Sequence, residues 1–140
     1  DEELWEALDV AQAHEFVSAR EDGLEGRISQ GGTNVSGGQR QRLCIARALA
    51  AKPEIYLFDD SFSALDVATD ARLRSALREP TRDAAVIIVA QRVSTITGAD
   101  QILVLDHGEI VARGTHEELL ESSETYQEIV TSQLAVEEVA

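Results

Sequence analysis

The sequence is poor in several residue types: it has no methionine, two prolines, one tryptophan and one cysteine. Without methionine the chain cannot begin at a start codon, so we expect an excised segment rather than a processed product. The lone Cys44 excludes an internal disulfide, which is typical of a reducing compartment. Its place between Leu43 and Ile45 predicts a small core residue rather than a nucleophile.

Long apolar runs are also missing. The longest ones, such as residues 84–90, are far shorter than the roughly 20 residues needed to cross a bilayer. No signal peptide or lipidation motif is visible. Any association with a membrane is therefore expected to come from another segment or from a partner.

Basic residues are scarce, with 12 Lys and Arg against 26 Asp and Glu and a formal charge of −14. This balance argues against nucleic acid as the main partner, because phosphate contacts need a basic face. One segment differs: residues 36–52 contain four basic residues and no acidic one, namely Arg40, Arg42, Arg47 and Lys52. The segment is either the site of an anionic ligand or a solvated helix face.

Helical and strand patterns alternate along the chain, which predicts an α/β fold with a partly parallel sheet. The short apolar strands are expected to be buried, and the tail after Ala135 is expected to fray. In chain order the predicted elements are one or two helices before Gly23, a loop over 23–38, a helix from the Ser36 N-cap to about Ala51, a strand at 55–58, a helix at about 67–78, a strand at 86–89, a hairpin at 102–112 turning at 106–108, a helix from a Thr115/Glu118 capping box to Glu121, and a helix at 126–134.

The first candidate site is the helix start formed by Ser36, Gly37, Gly38 and Gln39. Two glycines at a helix start leave backbone N–H groups unpaired and unshielded, and the helix dipole adds partial positive charge there. The Ser hydroxyl and the Gln amide supplement these donors. The segment therefore predicts a phosphate contact, with a flexible N-cap as the alternative.

The second candidate site is the pair Asp59 and Asp60 at the end of a predicted strand. In α/β sheets ligands bind at the carboxyl ends of strands, and a carboxylate there can hold Mg²⁺ through water. The other carboxylate can orient or deprotonate an attacking water. The alternative is a turn rich in aspartate.

Taken in order, these segments resemble the motifs of ABC ATPases. Residues 35–42, Val-Ser-Gly-Gly-Gln-Arg-Gln-Arg, look like the signature motif, which is usually Leu-Ser-Gly-Gly-Gln, and residues 55–59 look like the Walker B strand. Residues 63–66, Ser-Ala-Leu-Asp, match the D-loop, and residues 90–96 resemble the switch region. Residues 99–120 resemble the terminal hairpin and helix. The order and spacing of four motifs make the resemblance specific.

The resemblance implies an incomplete domain, because the sequence contains no Gly-x-x-x-x-Gly-Lys-Ser/Thr loop to cradle nucleotide phosphates. We expect an α/β, P-loop NTPase-like ABC ATPase domain that lacks its Walker A part. Residues 1–52 are expected to form the helical subdomain with the signature helix. Residues 53–140 are expected to carry the Walker B strand, D-loop, switch region and terminal elements. Alone, such a chain is expected to bind ATP weakly and to be inactive.

In the ABC family two such domains meet head to tail and sandwich two ATP molecules. The resemblance implies that residues 36–39 contact the γ-phosphate of the ATP held by the partner. It assigns Asp59 to Mg²⁺ at this chain's own site. It assigns Asp66 to the interface, where it links the two sites.

Two residues depart from the family pattern. Asp60 replaces a Glu that polarises the attacking water, so its carboxylate sits on the order of 1 Å further away, which can cost roughly 10²-fold. Gln91 replaces the switch His and can hydrogen-bond a phosphate oxygen but cannot carry positive charge. Paired changes of this kind resemble the degenerate subunit of heterodimeric ABC exporters. Asp60 and Gln91 are therefore expected to form a catalytic site that hydrolyses ATP slowly or never.

The sequence thus predicts the ATPase domain of an ABC exporter, a translocase, at the cytoplasmic face of the cell membrane. The expected partners are a second, different ABC ATP-binding domain and the transmembrane domains of an exporter, without nucleic acid. One alternative is a soluble ABC ATPase of translation or DNA repair, which usually adds basic or coiled-coil segments. The other is a regulatory ABC module without ATP chemistry, against which the complete signature motif argues.

Overall fold

The computed structural model describes residues 1–137, which form two compact units that divide between Val89 and Ala90. Unit 1 contains α1 (Glu2–Val10), α2 (His14–Ser18), α3 (Gly37–Ala50), β1 (Ile55–Asp59), α4 (Val67–Leu77) and β2 (Ala85–Val89). Unit 2 contains α5 (Val93–Ile96), β3 (Ile102–Asp106), β4 (Glu109–Gly114), α6 (His116–Ser122) and α7 (Glu124–Glu137).

The predicted elements are confirmed with small shifts of their bounds. The loop over 23–36 contains two short 3₁₀ turns, at Gly23–Glu25 and Gln30–Gly32. Helix α5 is an addition, since its single turn is too short to produce a periodic pattern. The tail was expected to fray after Ala135, but α7 continues to Glu137. Residues 138–140 lie outside the described part.

In unit 1, β1 and β2 form a parallel pair with Ile55 opposite Ala85 and Asp59 opposite Val89. One face of this pair packs on helices through Tyr56 and Phe58, which are buried. The core beneath includes buried side chains of α3 and α4, namely Ile45, Leu49, Leu73 and Leu77. This packing fixes the direction in which β1 points and thus where its last carboxylate lies.

Two burial predictions are wrong in the described residues. The strands were expected to be buried on both faces, but alternate residues such as Leu57 and Ile87 are exposed at 66% and 53%. The reason is that the helices of unit 1 bury only one face of β1, whereas no residue of β2 is buried. Cys44 is exposed rather than a core residue, because its neighbours Ile45 and Ala46 occupy the buried side of α3.

Unit 2 is built on an antiparallel hairpin. Strands β3 and β4 are joined by His107 and Gly108, whose φ angles are +48° and +83°. Two positive φ angles in a two-residue loop are the geometry of a type I′ turn, which glycine and small polar residues favour. A separate core of Val93, Ile102, Val104, Leu119 and Tyr126 holds the hairpin against the helices of this unit.

The predicted capping box at the start of α6 is present. The Glu118 N–H donates to the Thr115 hydroxyl oxygen at 3.3 Å, and the Thr115 N–H donates to a Glu118 carboxylate oxygen at 2.8 Å. None of the helices within residues 1–137 is long and apolar enough to cross a bilayer.

Replacing Thr115 by alanine should speed hydrogen exchange at the start of α6, because the Glu118 N–H loses its acceptor. Loss of an N-cap costs about 1 kcal/mol, or about fivefold in local opening. Exchange followed by mass spectrometry on the peptide that spans α6 measures this effect. Thr97→Ala, at an exposed position outside α6, is the matched control. Equal exchange in both variants would contradict the capping role.

Candidate functional site

The start of α3, Ser36–Gln39, is closed by a reciprocal cap. The Ser36 hydroxyl oxygen accepts a hydrogen bond from the Gln39 N–H at 3.2 Å, and the Gln39 side-chain carbonyl accepts one from the Ser36 N–H at 3.0 Å. The cap uses only the oxygen of each side chain. The Ser36 hydroxyl proton and the Gln39 NH₂ group therefore stay available as donors to a ligand.

The two glycines of the α3 start differ in their surroundings. A Cβ on Gly37 would meet Ala64 Cβ at 3.7 Å, an ordinary contact, and Gly37 itself is exposed. A Cβ on Gly38 would lie only 3.0 Å from the Ala64 carbonyl oxygen. The N–H groups of both residues precede any intrahelical acceptor, so they point out of the helix end where the dipole is positive. Gly37 thus leaves the helix end bare, and Gly38 allows the next loop to approach.

Asp59 and Asp60 lie at the carboxyl end of β1, and both are exposed. Asp60 has φ +49°, a left-handed conformation that aspartate adopts more readily than most residues. Its N–H donates to the Val89 carbonyl oxygen at 3.0 Å, which ties the turn to the end of β2. The backbone therefore leaves the strand conformation between the two carboxylates.

The carboxylates at the end of β1 are hard oxygen donors, and Mg²⁺ is usually held by one or two carboxylates together with substrate phosphates. Asp59 fits such a role as a contributor. Within the described residues no group of three or more His, Cys, Asp or Glu side chains is arranged to hold a metal ion by itself.

Asp66 is the N-cap of α4, and its carboxylate accepts a hydrogen bond from the Thr69 N–H at 2.9 Å. The hydrogen bond with the Thr69 side chain, followed by that backbone bond, lowers the pKa of Asp66 below its ordinary value. Burial of the carboxyl opposes this change of pKa more weakly. Asp66 is therefore held as a carboxylate at the end of the loop that Asp60 begins.

Unit 1 brings the α3 start together with the loop Asp60–Asp66, which we call the aspartate loop. Gly38 approaches Ala64, and the Gln41 side chain of α3 bonds to three residues of the loop. Sequence reasoning did not single out Gln41, because its partners lie 19 to 23 positions further along the chain.

Gln91 lies in unit 2, directly before α5, and its side chain is exposed. Its backbone carbonyl accepts a hydrogen bond from the Gln133 side chain of α7 at 2.5 Å. The carbonyl of the same Gln133 amide accepts one from the Val93 N–H at 2.8 Å. Gln133 thus fixes the backbone that carries Gln91. Sequence reasoning missed it because its partners are 40 and 42 positions away.

Comparison with known sequences gives a consistent set of similar proteins. The sequence model of a family described as ABC transporter matches residues 3–63. An uncharacterized ABC transporter ATP-binding protein of Mycobacterium tuberculosis (strain H37Rv) is 55% identical over 133 residues, covering 95% of this chain and 22% of that protein. An ATP-dependent lipid A-core flippase of Mannheimia succiniciproducens is 44% identical over 128 residues, covering 91% of this chain and 22% of the flippase.

Among solved structures, a bacterial Atm1-family ABC exporter with ATP bound superposes with a TM-score of 0.90 at 36% sequence identity. The match covers 94% of this chain and 23% of that one. The chain therefore spans about a fifth of the length of the curated relatives it matches.

The pKa of Asp66 should lie below 3.8 in a titration of the side-chain carboxyl by NMR. Because the folded pKa is lowered, the cap stabilises α4 above the unfolded pKa, and this stabilisation is lost as the pH falls below about 3.8 through the folded pKa. Thr69→Val removes the hydroxyl and should move the pKa of Asp66 back toward 3.8. Thr95→Val, at another buried threonine, should leave it unchanged. A wild-type pKa above 3.8 would contradict the assignment.

Proposed function

Because the chain belongs to the ABC transporter family, we propose that it is part of the ATP-binding and hydrolysis-coupling domain of an exporter. The observation that carries this proposal is the α3 start, whose bare amides and free side-chain donors fit a phosphate group. The similarity of this chain to a flippase and to an exporter with ATP bound supports the same conclusion.

The α3 start contacts the terminal phosphate of an ATP molecule that is held mainly by a partner domain. Gly37 and Gly38 supply backbone N–H donors, and Ser36 and Gln39 supply a hydroxyl and an amide. Donors fixed in place by the capping box need little rearrangement when the phosphate charge changes, which is how preorganised sites stabilise a transition state. The carboxylate-poor segment 36–52 favours this contact with an anion.

Three side chains serve this chain's own nucleotide, namely Asp59, Asp60 and Gln91. Asp59 helps to hold Mg²⁺, which when bound neutralises phosphate charge. Asp60 orients a water molecule, and Gln91 hydrogen-bonds a terminal phosphate oxygen. Asp66 lies at the interface with the partner and links the two nucleotide sites.

This chain's own site is degenerate, whereas the site to which it lends the α3 start is competent. Hydrolysis at this chain's own site is slow for two reasons: the carboxylate of Asp60 is shorter than that of glutamate, and the amide of Gln91 is uncharged. The partner is accordingly a different ABC ATP-binding domain, and the pair works as a heterodimer.

In the assembled transporter, ATP binding closes the two domains and hydrolysis reopens them, and transmembrane domains convert this motion into export. The domains therefore lie at the cytoplasmic face of the cell membrane. Residues 1–52 form the helical subdomain, and the remainder carries the Walker B strand, D-loop, switch region and terminal elements.

Gly37→Asp should lower ATP turnover of the assembled transporter by at least about 100-fold, because a carboxylate would meet the phosphate at the partner's site. Gly37→Ala should cause a smaller loss. The added methyl group would lie 3.7 Å from Ala64 Cβ, an ordinary contact within this chain. Any loss of turnover would therefore come from contact with the partner domain or its nucleotide. Ser75→Asp, which adds the same charge at an exposed residue of α4, should stay within about twofold of wild type. Full turnover by Gly37→Asp would refute the proposal.

Asp60→Asn distinguishes a degenerate site from a competent one. If the partner's site carries the turnover, the change should alter steady-state hydrolysis by no more than about twofold. Hydrolysis that stops as completely as in Gly37→Asp would show that Asp60 serves a competent site. Asp60→Asn and Gly37→Asp are prepared in the same way and compared in the same ATPase assay.

The isolated 140-residue chain should bind ATP with a Kd weaker than about 1 mM, since its sequence contains no phosphate-cradling loop. Titration calorimetry measures this directly. Micromolar binding by the isolated chain would mean that these residues hold a complete nucleotide site.

A further inference from the structure

The side chain of Gln41 forms three hydrogen bonds to the aspartate loop. Its amide NH₂ group donates to the Asp60 carbonyl oxygen at 3.1 Å and to the Ser63 hydroxyl oxygen at 3.0 Å. Its carbonyl oxygen accepts from the Ala64 N–H at 2.9 Å. One half-buried glutamine on the second turn of α3 thus binds the loop at three residues.

The aspartate loop also contains a hydrogen bond of its own to the Asp60 carbonyl oxygen. The Ser63 hydroxyl also donates to the Asp60 carbonyl oxygen at 3.1 Å, so this carbonyl receives two side-chain donors. This carbonyl belongs to the residue whose φ, +49°, is left-handed. Because left-handed backbone is costly for a residue with a side chain, the bonds from Gln41 and Ser63 help to retain it.

The other end of the contact is the α3 start itself. The Ala64 carbonyl oxygen lies against Gly38, and the Leu65 side chain lies 3.6 Å from the position of a Cβ there. The N–H group of Ala64 is the one that Gln41 binds. Moving Ala64 would therefore move the surface on which Gly37 and Gly38 rest.

We propose that Gln41 is a positioning residue that locks the α3 start to the aspartate loop. This inference rests on the function proposed above. Two sets of groups then move together: the donors that contact the partner's nucleotide, and the carboxylates that serve this chain's own nucleotide. Gln41 touches no nucleotide and acts through Ala64, Ser63 and the backbone of Asp60.

The role requires the chemistry of glutamine. A single side chain must accept from one N–H group and donate to two oxygens, and only an amide offers an acceptor and two donors at that distance from the backbone. Glutamate retains the acceptor for the Ala64 N–H but loses both donors. Methionine has a similar length and shape but makes none of the three bonds.

The test uses the full-length transporter assembled with its partner. Gln41→Met should lower kcat and raise the KM for ATP, each by on the order of 10-fold. The combined loss in kcat/KM is then about 10²-fold, the size of effect that a displacement of about 1 Å can have. The inhibition constant of ADP should not change, because ADP lacks the phosphate that the α3 start contacts. If Gln41→Met only reduced the amount of folded protein, kcat would fall and the KM for ATP would stay the same. That outcome would overturn the proposal.

Two variants control for the substitution itself. Gln127→Met removes a 2.6 Å bond to the Leu120 carbonyl from an exposed glutamine of α7, so it should leave kcat and KM within about twofold. Gln41→Glu should protect the Ala64 amide from hydrogen exchange, whereas Gln41→Met should not. If Gln41→Met matches Gln127→Met in kinetics and exchange, the positioning role is wrong.

Gly37→Asp in the same preparation separates this inference from the proposed function. If Gly37→Asp abolishes turnover and Gln41→Met leaves KM unchanged, the function stands and the role of Gln41 fails. If Gly37→Asp is inert, the function itself fails and the positioning role fails with it.

Discussion

The close approach of Gly38 to the Ala64 carbonyl oxygen is the constraint on which the rest of unit 1 depends. It requires a residue without a side chain in the first turn of α3. It also requires that the turn after β1, which begins at the left-handed Asp60, brings Ala64 to this position. Because α3 and β1 share the core beneath Tyr56 and Phe58, neither element can adjust separately. The geometry of the α3 start, and with it of the proposed phosphate contact, is therefore set by packing on the far side of the helix.

Side-chain amides hold both candidate sites in place. Gln41 secures the loop that carries Asp60, and Gln133 secures the backbone that carries Gln91. An amide can satisfy a backbone N–H and a carbonyl together without introducing charge. Beside the proposed nucleotide this would have an advantage, since a carboxylate would repel phosphate and a cation would compete for it. The acidic character of the chain is accordingly kept away from residues 36–52.

Local signals in the sequence predicted those parts of the fold that nearby residues decide. The Ser36 N-cap of α3, the capping box of α6 and the hairpin turn predicted within 106–108 all depend on atoms within a few positions. The family resemblance rested on the same segments, and the matching family and structures confirm it. Burial was predicted less well: Cys44 and one face of β1 are exposed, and no residue of β2 is buried. Exposure depends on which elements cover a surface, and apolar composition does not report that.

The sequence alone determined where α3, α4 and α6 begin, where the hairpin turns and which residue types stand at the α3 start and after β1. Only the tertiary structure decided that Gly38 rests on Ala64, that Gln41 bonds to the aspartate loop and that Gln133 holds the backbone of Gln91. These contacts join residues about 20 to 40 positions apart. They form only when the separate elements pack on their cores, so no pattern within one segment encodes them.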